Sequence, residues 1–113
     1  EDSSIFLGGD LYVPAENRLI KKYGENLQCD IMKANHHGAD TSNSRSFIEV
    51  VKPKVVVAMH DGIASLDVYN AFHKRGAEMY ITSVDGCVKI TADGTKNYTW
   101  ITQYDRQQNS VLK

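Results

Sequence analysis

Hydrophobic positions change their spacing several times along the chain, and each change predicts a new structural element. Short apolar runs predict strands at four places, namely from residue 5, over 29–34, over 54–59 and over 78–82. Between these runs, apolar residues recur at helical spacing in three segments, near 14–23, over 45–52 and from Ser65 to Gly76. The alternation of strands with helices predicts parallel strands joined by right-handed helical crossovers.

Local signals at the ends of these segments support the three helices. Pro14 suits a first helical turn, and Gly24 suits the position just after a last turn. Ser46 followed three residues later by Glu49 has the pattern of a capping box, and Ser65 is a good N-cap for the third helix.

The final third of the chain has a different pattern, in which apolar and polar residues alternate instead of recurring at helical spacing. Asp85-Gly86 predicts a turn into a strand at 87–91, and Asp93-Gly94 predicts a second turn into a strand at 98–102. The chain therefore reads as an α/β layer with a mixed sheet, three helices and an antiparallel C-terminal meander.

Length, charge and cysteine content narrow the class of protein. The 113 residues fit one domain, 1–113, and the formal net charge of −1 gives no basic face for nucleic acid. There is no apolar run near the about 20 residues that cross a bilayer, so we expect a soluble chain, either cytoplasmic or extracytoplasmic. Cys29 and Cys87 lack metal-site spacing and are expected to be two buried thiols, with a disulfide as the alternative.

Candidate chemistry follows three of the predicted strands. Asp10 ends an apolar run through two glycines, His36 and His37 end the second run, and His60 ends the third. Open α/β sheets place their sites at the carboxyl ends of strands, where neutral imidazole and carboxylate are suitable metal ligands. We expect Asp10 and the histidine pair to form one site, whereas His73, on the third helix, should be a solvated residue without a role.

Four segments of the chain resemble, in order, consecutive motifs of the metallo-β-lactamase superfamily. They are Leu7-Gly8-Gly9-Asp10-Leu11, Lys33-Ala34-Asn35-His36-His37-Gly38, Lys52-Pro53-Lys54-Val55 and Asp85-Gly86-Cys87-Val88-Lys89-Ile90-Thr91. The resemblance covers about residues 5–95 and is greatest to the branch of bacterial proteins that contains the hydrolase domain of the competence DNA-uptake channel and the phosphorylcholine esterases.

The resemblance implies half of a four-layer αββα sandwich with two metal ions, zinc or alternatively manganese. It implies that Asp10 bridges both ions and that His36 or His37 ligates the second, with the other histidine contacting substrate or orienting the ligand. His60 would be a third ligand or a polar neighbour of the site. By this resemblance Asp10 and His36 are the candidate catalytic residues.

The chain departs from the family pattern in two ways. The His-x-His-x-Asp-His motif, which supplies the first metal's ligands, is absent, so the chain resembles the C-terminal portion of the domain. Asn35 stands where the competence branch has glycine, and Met59-His60-Asp61-Gly62 replaces its Gly-His-Pro loop.

The implied activity is phosphoester hydrolysis, of a small-molecule phosphodiester or of nucleic acid, by a binuclear site that an upstream half completes. The isolated chain should be inactive, and it should expose an apolar face formed by alternate residues of strands 54–59 and 87–91. The alternative is a degenerate or structural domain without catalysis.

Overall fold

A computed structural model describes residues 3–62, 65–95 and 97–104. Four parallel strands form the central sheet in the spatial order β1-β2-β3-β4. They are β1 (Ile5–Leu7), β2 (Ile31–Lys33), β3 (Val55–Ala58) and β4 (Glu78–Ile81). The predicted parallel arrangement is confirmed, and each strand begins within a few residues of its predicted start.

Three helices form the crossovers between these strands. They are α1 (Val13–Tyr23), α2 (Arg45–Val51) and α3 (Leu66–Lys74). The Ser65 hydroxyl accepts from the Val68 N–H, which confirms its predicted role as a cap. The predicted Ser46–Glu49 capping box is wrong, because the Ser44 hydroxyl accepts from the Phe47 N–H and places Ser46 inside α2.

The helices cover one face of the sheet and form the core with it. Phe6, Met32, Val56 and Met79 lie in register across the four strands. The last three are at most 2% exposed and belong to one apolar cluster with residues of α2 and α3, including the fully buried Phe47 and Phe72. Each large apolar side chain buried in this way contributes about 1.5–3 kcal/mol to stability.

A two-stranded antiparallel sheet lies on the opposite face. It consists of β5 (Val88–Ala92) and β6 (Tyr98–Thr102). The Tyr98 hydroxyl donates to the Asp30 carboxylate at 2.5 Å, and the Trp100 indole N–H donates to the Tyr80 hydroxyl at 2.6 Å. These bonds attach the hairpin to the parallel sheet, so the architecture has three layers: helices, parallel sheet and hairpin.

Two features differ from the prediction of one mixed sheet with three helices. In the described residues β5 pairs with β6 in a sheet separate from the parallel one. The predicted Asp85-Gly86 turn is instead the end of a short fourth helix, α4 (Thr82–Asp85), in which the buried Asp85 carboxylate accepts from the Ile81 N–H at 2.9 Å. This helix redirects the chain out of the parallel sheet, so β5 does not continue it.

The exposed apolar residues are not those expected from the sequence. Val55 is 1% exposed and Ile90 is half-buried, because the hairpin covers the sheet face opposite the helices. Exposed apolar side chains lie instead at separate places, including Ile5 and Leu7 on the edge strand β1, which are 60% and 67% exposed, and Ile101 on β6, which is 68% exposed. Met59, at the end of the predicted strand 54–59, is 47% exposed.

The two cysteines have different environments. Both are free; Cys29 is buried, as expected, whereas Cys87 is exposed, which corrects the prediction of two buried thiols. Burial, reinforced by the neighbouring Asp30 carboxylate, raises the pKa of the Cys29 thiol to about 11. None of the helices in the described part of the chain has the length and apolar character needed to cross a bilayer.

Candidate functional site

The loops that follow β1, β2 and β3 leave the same edge of the parallel sheet, and they carry all of the predicted site residues. Asp10 lies in the first loop, His36 and His37 in the second, and His60 in the third. The second and third loops and α4 form an open cleft of about 870 Å³. Its lining is His36, His37, Ala39, Met59, His60, Asp61, Thr82 and Ser83.

The backbone of the histidine pair has an uncommon conformation. His36 and His37 have φ of 49° and 57°, and Gly38 follows with φ of 84°. Left-handed φ values are uncommon for residues other than glycine, although histidine is among those that adopt them more often. The His36 N–H donates to the Gly9 carbonyl at 2.9 Å, which fixes this loop against the one that carries Asp10. The conformation directs the two imidazoles to different neighbours.

His37 faces the other two loops. Its Nδ1 lies 2.7 Å from the Met59 carbonyl oxygen, and its Nε2 lies 3.7 Å from Oδ1 of Asp10. A carbonyl only accepts hydrogen bonds, so Nδ1 carries a proton, and in the neutral ring Nε2 then presents a lone pair towards the carboxylate. This is the arrangement in which a histidine, oriented by a backbone carbonyl, can ligate a metal.

His36 is held between two hydroxyl groups. Its Nδ1 lies 3.2 Å from the Thr41 Oγ1, and its Nε2 lies 3.4 Å from the Tyr12 hydroxyl, whose ring packs against the imidazole at a centroid distance of 4.7 Å. Both ring nitrogens therefore have side-chain partners. Tyr12 was not singled out from the sequence, where a tyrosine near a helix start carries no distinguishing signal.

His60 presents a different nitrogen to the cleft. The Gly62 N–H donates to its Nδ1 at 2.7 Å, so Nδ1 is unprotonated and the neutral ring carries its proton on Nε2. The His60 backbone is attached to α4, because its N–H lies 3.1 Å from the Thr82 hydroxyl oxygen. The centroids of the His60 and His37 rings are 6.5 Å apart.

The structure thus brings Asp10 and His37 together, and the rings of His36 and His60 lie 6.1 and 6.5 Å from the His37 ring, between centroids. Among residues 3–62, 65–95 and 97–104, no group of three His, Cys, Asp or Glu side chains is placed to hold a metal ion. His73 lies apart on α3, exposed, with its ring stacked on Tyr69.

A buried carboxylate behind the histidine loop was also missed from the sequence. Glu16 is fully buried in α1 and accepts hydrogen bonds from Asn35, Asn43 and Ser44. Its signal was available, since Glu16 precedes Leu19 and Ile20 by three and four residues and so lies on the apolar face of α1. An acid on such a face needs buried donors.

Comparison with known proteins gives two relatives that are much longer than this chain. Over 70 residues, 62% of this chain and 8% of the relative, it is 36% identical to the uncharacterized protein YcaI of Escherichia coli (strain K12). Over 94 residues, 78% of this chain and 14% of the relative, it is 30% identical to the competence protein ComA of Neisseria gonorrhoeae. No protein-family model matches the chain.

Proposed function

We propose that this chain is the C-terminal portion of a metallo-β-lactamase-like αββα domain that hydrolyses phosphoesters with metal ions. The substrate class is a phosphodiester, either a small molecule or nucleic acid. The similarity to a competence protein supports the branch of the superfamily that the sequence motifs indicate. The three layers of helices, parallel sheet and hairpin are compatible with one part of such a sandwich.

The observation that carries the proposal is the relation between His37 and Asp10. Their facing atoms, Nε2 and Oδ1, are 3.7 Å apart, which is beyond ordinary hydrogen-bond distance. Two ligands about 2.0–2.2 Å from one tetrahedral zinc lie roughly 3.4 Å from each other. The two side chains therefore fit as neighbouring ligands of one ion.

The donor set also fits zinc chemically. Imidazole nitrogen and carboxylate oxygen are ordinary zinc ligands, and a carboxylate has a second oxygen for a second ion. Asp10 and His37 would hold the metal, with a carboxylate oxygen of Asp10 available to a second ion and the remaining ligands supplied from elsewhere in the full-length protein. Bound zinc or manganese would supply an activated water at neutral pH and neutralise charge on the phosphoester oxygens.

The other two histidines then have separate tasks. His60 presents an Nε2–H to the cleft and is suited to donate a hydrogen bond to a substrate oxygen. His36, whose two ring nitrogens contact the Thr41 and Tyr12 hydroxyls, would exchange a proton with substrate by replacing one of these hydroxyl partners with a substrate oxygen. In this proposal neither His36 nor His60 is a metal ligand.

A rate assay of the full-length protein tests the proposal. Hydrolysis of bis(p-nitrophenyl) phosphate is measured with and without added zinc or manganese for the wild type, Asp10→Ala and His73→Ala. Asp10→Ala should lower the rate by about a hundredfold or more because it removes a ligand, whereas His73→Ala, an exposed histidine outside the cleft, should leave it unchanged.

Two results would contradict the proposal. One is normal metal-dependent activity in Asp10→Ala, which would show that its carboxylate is not a ligand. The other is full activity in the isolated 113 residues, since Asp10 and His37 alone cannot complete a binuclear site. Absence of any hydrolysis in the wild type would favour the non-catalytic, structural alternative.

A further inference from the structure

We infer that Glu16 is a positioning residue for the site: its buried carboxylate holds the histidine loop, and through it His36 and His37, at a fixed place beside Asp10. The catalytic part of this inference rests on the proposed function. The structural part concerns only the described contacts of Glu16 and is tested separately below.

The environment of Glu16 is unusual for a glutamate. Its side chain is 0% exposed, yet in the described part of the chain its partners are neutral N–H groups and no cationic side chain forms an ion pair with it. Its Oε2 accepts from Asn35 Nδ2 at 2.9 Å and from the Asn43 N–H, and its Oε1 accepts from the Ser44 N–H at 2.9 Å. Burying a charged group is costly unless hydrogen bonds compensate, so these three donors are what retains it.

The donors belong to the two ends of the histidine loop. Asn35 and Asn43 also bond each other reciprocally, from the Asn35 N–H to Asn43 Oδ1 and from Asn43 Nδ2 to the Asn35 carbonyl, each at 2.8 Å. His36 and His37 lie between them with left-handed φ values. Such a conformation persists only when surrounding contacts fix it, and Glu16 fixes both ends of this loop at once.

Glu16 also connects this loop to the segment that carries Asp10. It belongs to the start of α1, three residues after Val13, whose N–H donates to the Thr41 carbonyl at 3.2 Å. Asp10 lies shortly before the helix start. The carboxylate therefore joins the two segments whose side chains, Asp10 and His37, face each other.

The test compares two buried carboxylates. Glu16 contacts the loop that follows β2, at the carboxyl ends of the strands, whereas Asp30 lies before β2, at their amino ends. Glu16→Gln keeps the shape of the side chain, but its amide NH₂ must face at least one of the N–H donors that Glu16 now accepts from. Asp30→Asn is the matched control, since Asp30 is 7% exposed and precedes β2, at the edge away from the histidine loop. Asn43→Ala is a second test variant, which removes the reciprocal Asn35–Asn43 bonds and places alanine at a φ of 61°, so it should open the loop while Glu16 is unchanged.

Hydrogen exchange of the full-length protein, followed by mass spectrometry well below the unfolding temperature, measures the loop directly. Exchange in residues 35–44 should become on the order of tenfold faster in Glu16→Gln, because losing a buried hydrogen-bond partner changes a local opening equilibrium by about that factor. Asn43→Ala should accelerate the same segment, and Asp30→Asn should leave it unchanged. Unchanged exchange in Glu16→Gln, whatever Asn43→Ala shows, or equal acceleration by Asp30→Asn, would overturn the inference.

Zinc affinity and turnover extend the test to the proposed function. A positioning role predicts that Glu16→Gln weakens zinc binding by about tenfold, as for residues that orient ligands, whereas Asp30→Asn does not. If exchange responds as expected and the wild type hydrolyses nothing, Glu16 positions the loop and the proposed activity is wrong. If the wild type is active and Glu16→Gln changes neither exchange nor zinc affinity, the activity holds and the positioning role is wrong.

Discussion

The Nδ1 atom of His37 donates a hydrogen bond to the carbonyl oxygen of Met59 at 2.7 Å, across the ends of two neighbouring strands. Met59 directly follows β3 and His37 lies in the loop after β2, so the parallel sheet itself sets the orientation of the imidazole. A side chain fixed by a strand end is more rigid than one fixed by other loop residues, and a metal ligand benefits from that rigidity.

Separate substitutions of the adjacent histidines should give different losses. In the full-length protein we expect His37→Ala to weaken zinc binding by about tenfold or more, because it removes the lone pair that faces Asp10. His36→Ala should leave zinc affinity unchanged, because both nitrogens of His36 contact hydroxyl groups. It should lower kcat, because the proposed function gives this ring proton exchange with substrate. Zinc titration and steady-state kinetics of the two variants check this.

The converse result would reassign the ligand. If His36→Ala abolishes zinc binding and His37→Ala does not, His36 occupies the metal position. The bonds from His36 to Tyr12 and Thr41 would then have to break on metal binding.

Two adjacent glycines before Asp10 should respond differently to alanine. A Cβ on Gly8 would lie 2.3 Å from Oδ1 of Asn35 and 2.7 Å from the Phe6 ring, so Gly8→Ala must displace the side chain that bonds Glu16. Overpacking of this kind costs about 1–3 kcal/mol. Urea unfolding should show that loss, and hydrogen exchange should be faster in residues 35–44.

Gly9→Ala is the matched control for this effect. Its added Cβ meets no atom of the described residues within 4 Å beyond its chain neighbours, but its φ of +64° makes alanine strained, at about 1–2 kcal/mol. Gly9→Ala should therefore lower stability with a smaller increase in exchange around Asn35 than Gly8→Ala gives, because the Gly9 carbonyl that accepts from the His36 N–H is retained. Similar exchange in the two variants would mean that contact between Gly8 and Asn35 does not constrain the loop.

The order of elements was predictable because the relevant signals are local. Val55 and Val56 read as a strand buried on both faces, and both are at most 1% exposed. The fourth helix was not predictable in this way, because α4 (Thr82–Asp85) is a single turn without an apolar period, and the bond from the Ile81 N–H to the Asp85 carboxylate has no distinct sequence pattern. Asp85-Gly86 has the composition of a turn in either case.

In the candidate site, too, the sequence predicted the position of the residues but not their individual contacts. Strand ends placed Asp10, His36, His37 and His60 at one edge from the sequence alone. The residue pattern did not distinguish the two adjacent histidines, and the family resemblance favoured His37 as the ligand only slightly. Their difference depends on left-handed backbone angles and on partners from other loops, including Tyr12 and Met59. Neither is encoded in local spacing.

The end of α2 offers a test of backbone strain away from the site. Lys52 caps α2 with φ of 50° and ψ of 52°, a left-handed conformation that glycine adopts without a steric penalty. Lys52→Gly should therefore raise the free energy of unfolding by up to about 1 kcal/mol. In Lys54→Gly, where no left-handed φ is present, glycine should instead lower it by about 0.5–1 kcal/mol. Thermal unfolding of both variants checks the opposite signs, and a loss in Lys52→Gly would contradict the strain argument.

Stability at high pH should depend on the Cys29 thiol. Burial and the nearby Asp30 carboxylate raise its pKa from the ordinary 9.0 to about 11, so the folded state retains this proton while the unfolded state loses it. The folded state then binds more protons, and stability falls as pH rises. The contribution of the protonated Cys29 thiol to the free energy of unfolding is fully present below pH 9. It is lost as pH rises towards about 11, which lowers the free energy of unfolding by roughly 2–3 kcal/mol.

Urea unfolding across this pH range, compared between two cysteine variants, isolates the effect from other groups that titrate there. Cys29→Ala should show a smaller loss of stability between pH 9 and 11 than the wild type, because it removes the buried thiol. Cys87→Ala should follow the wild type, since Cys87 is exposed. If both variants lose stability in parallel with the wild type, other groups cause the loss between pH 9 and 11. Ionisation of the Cys29 thiol would then not destabilise the folded state.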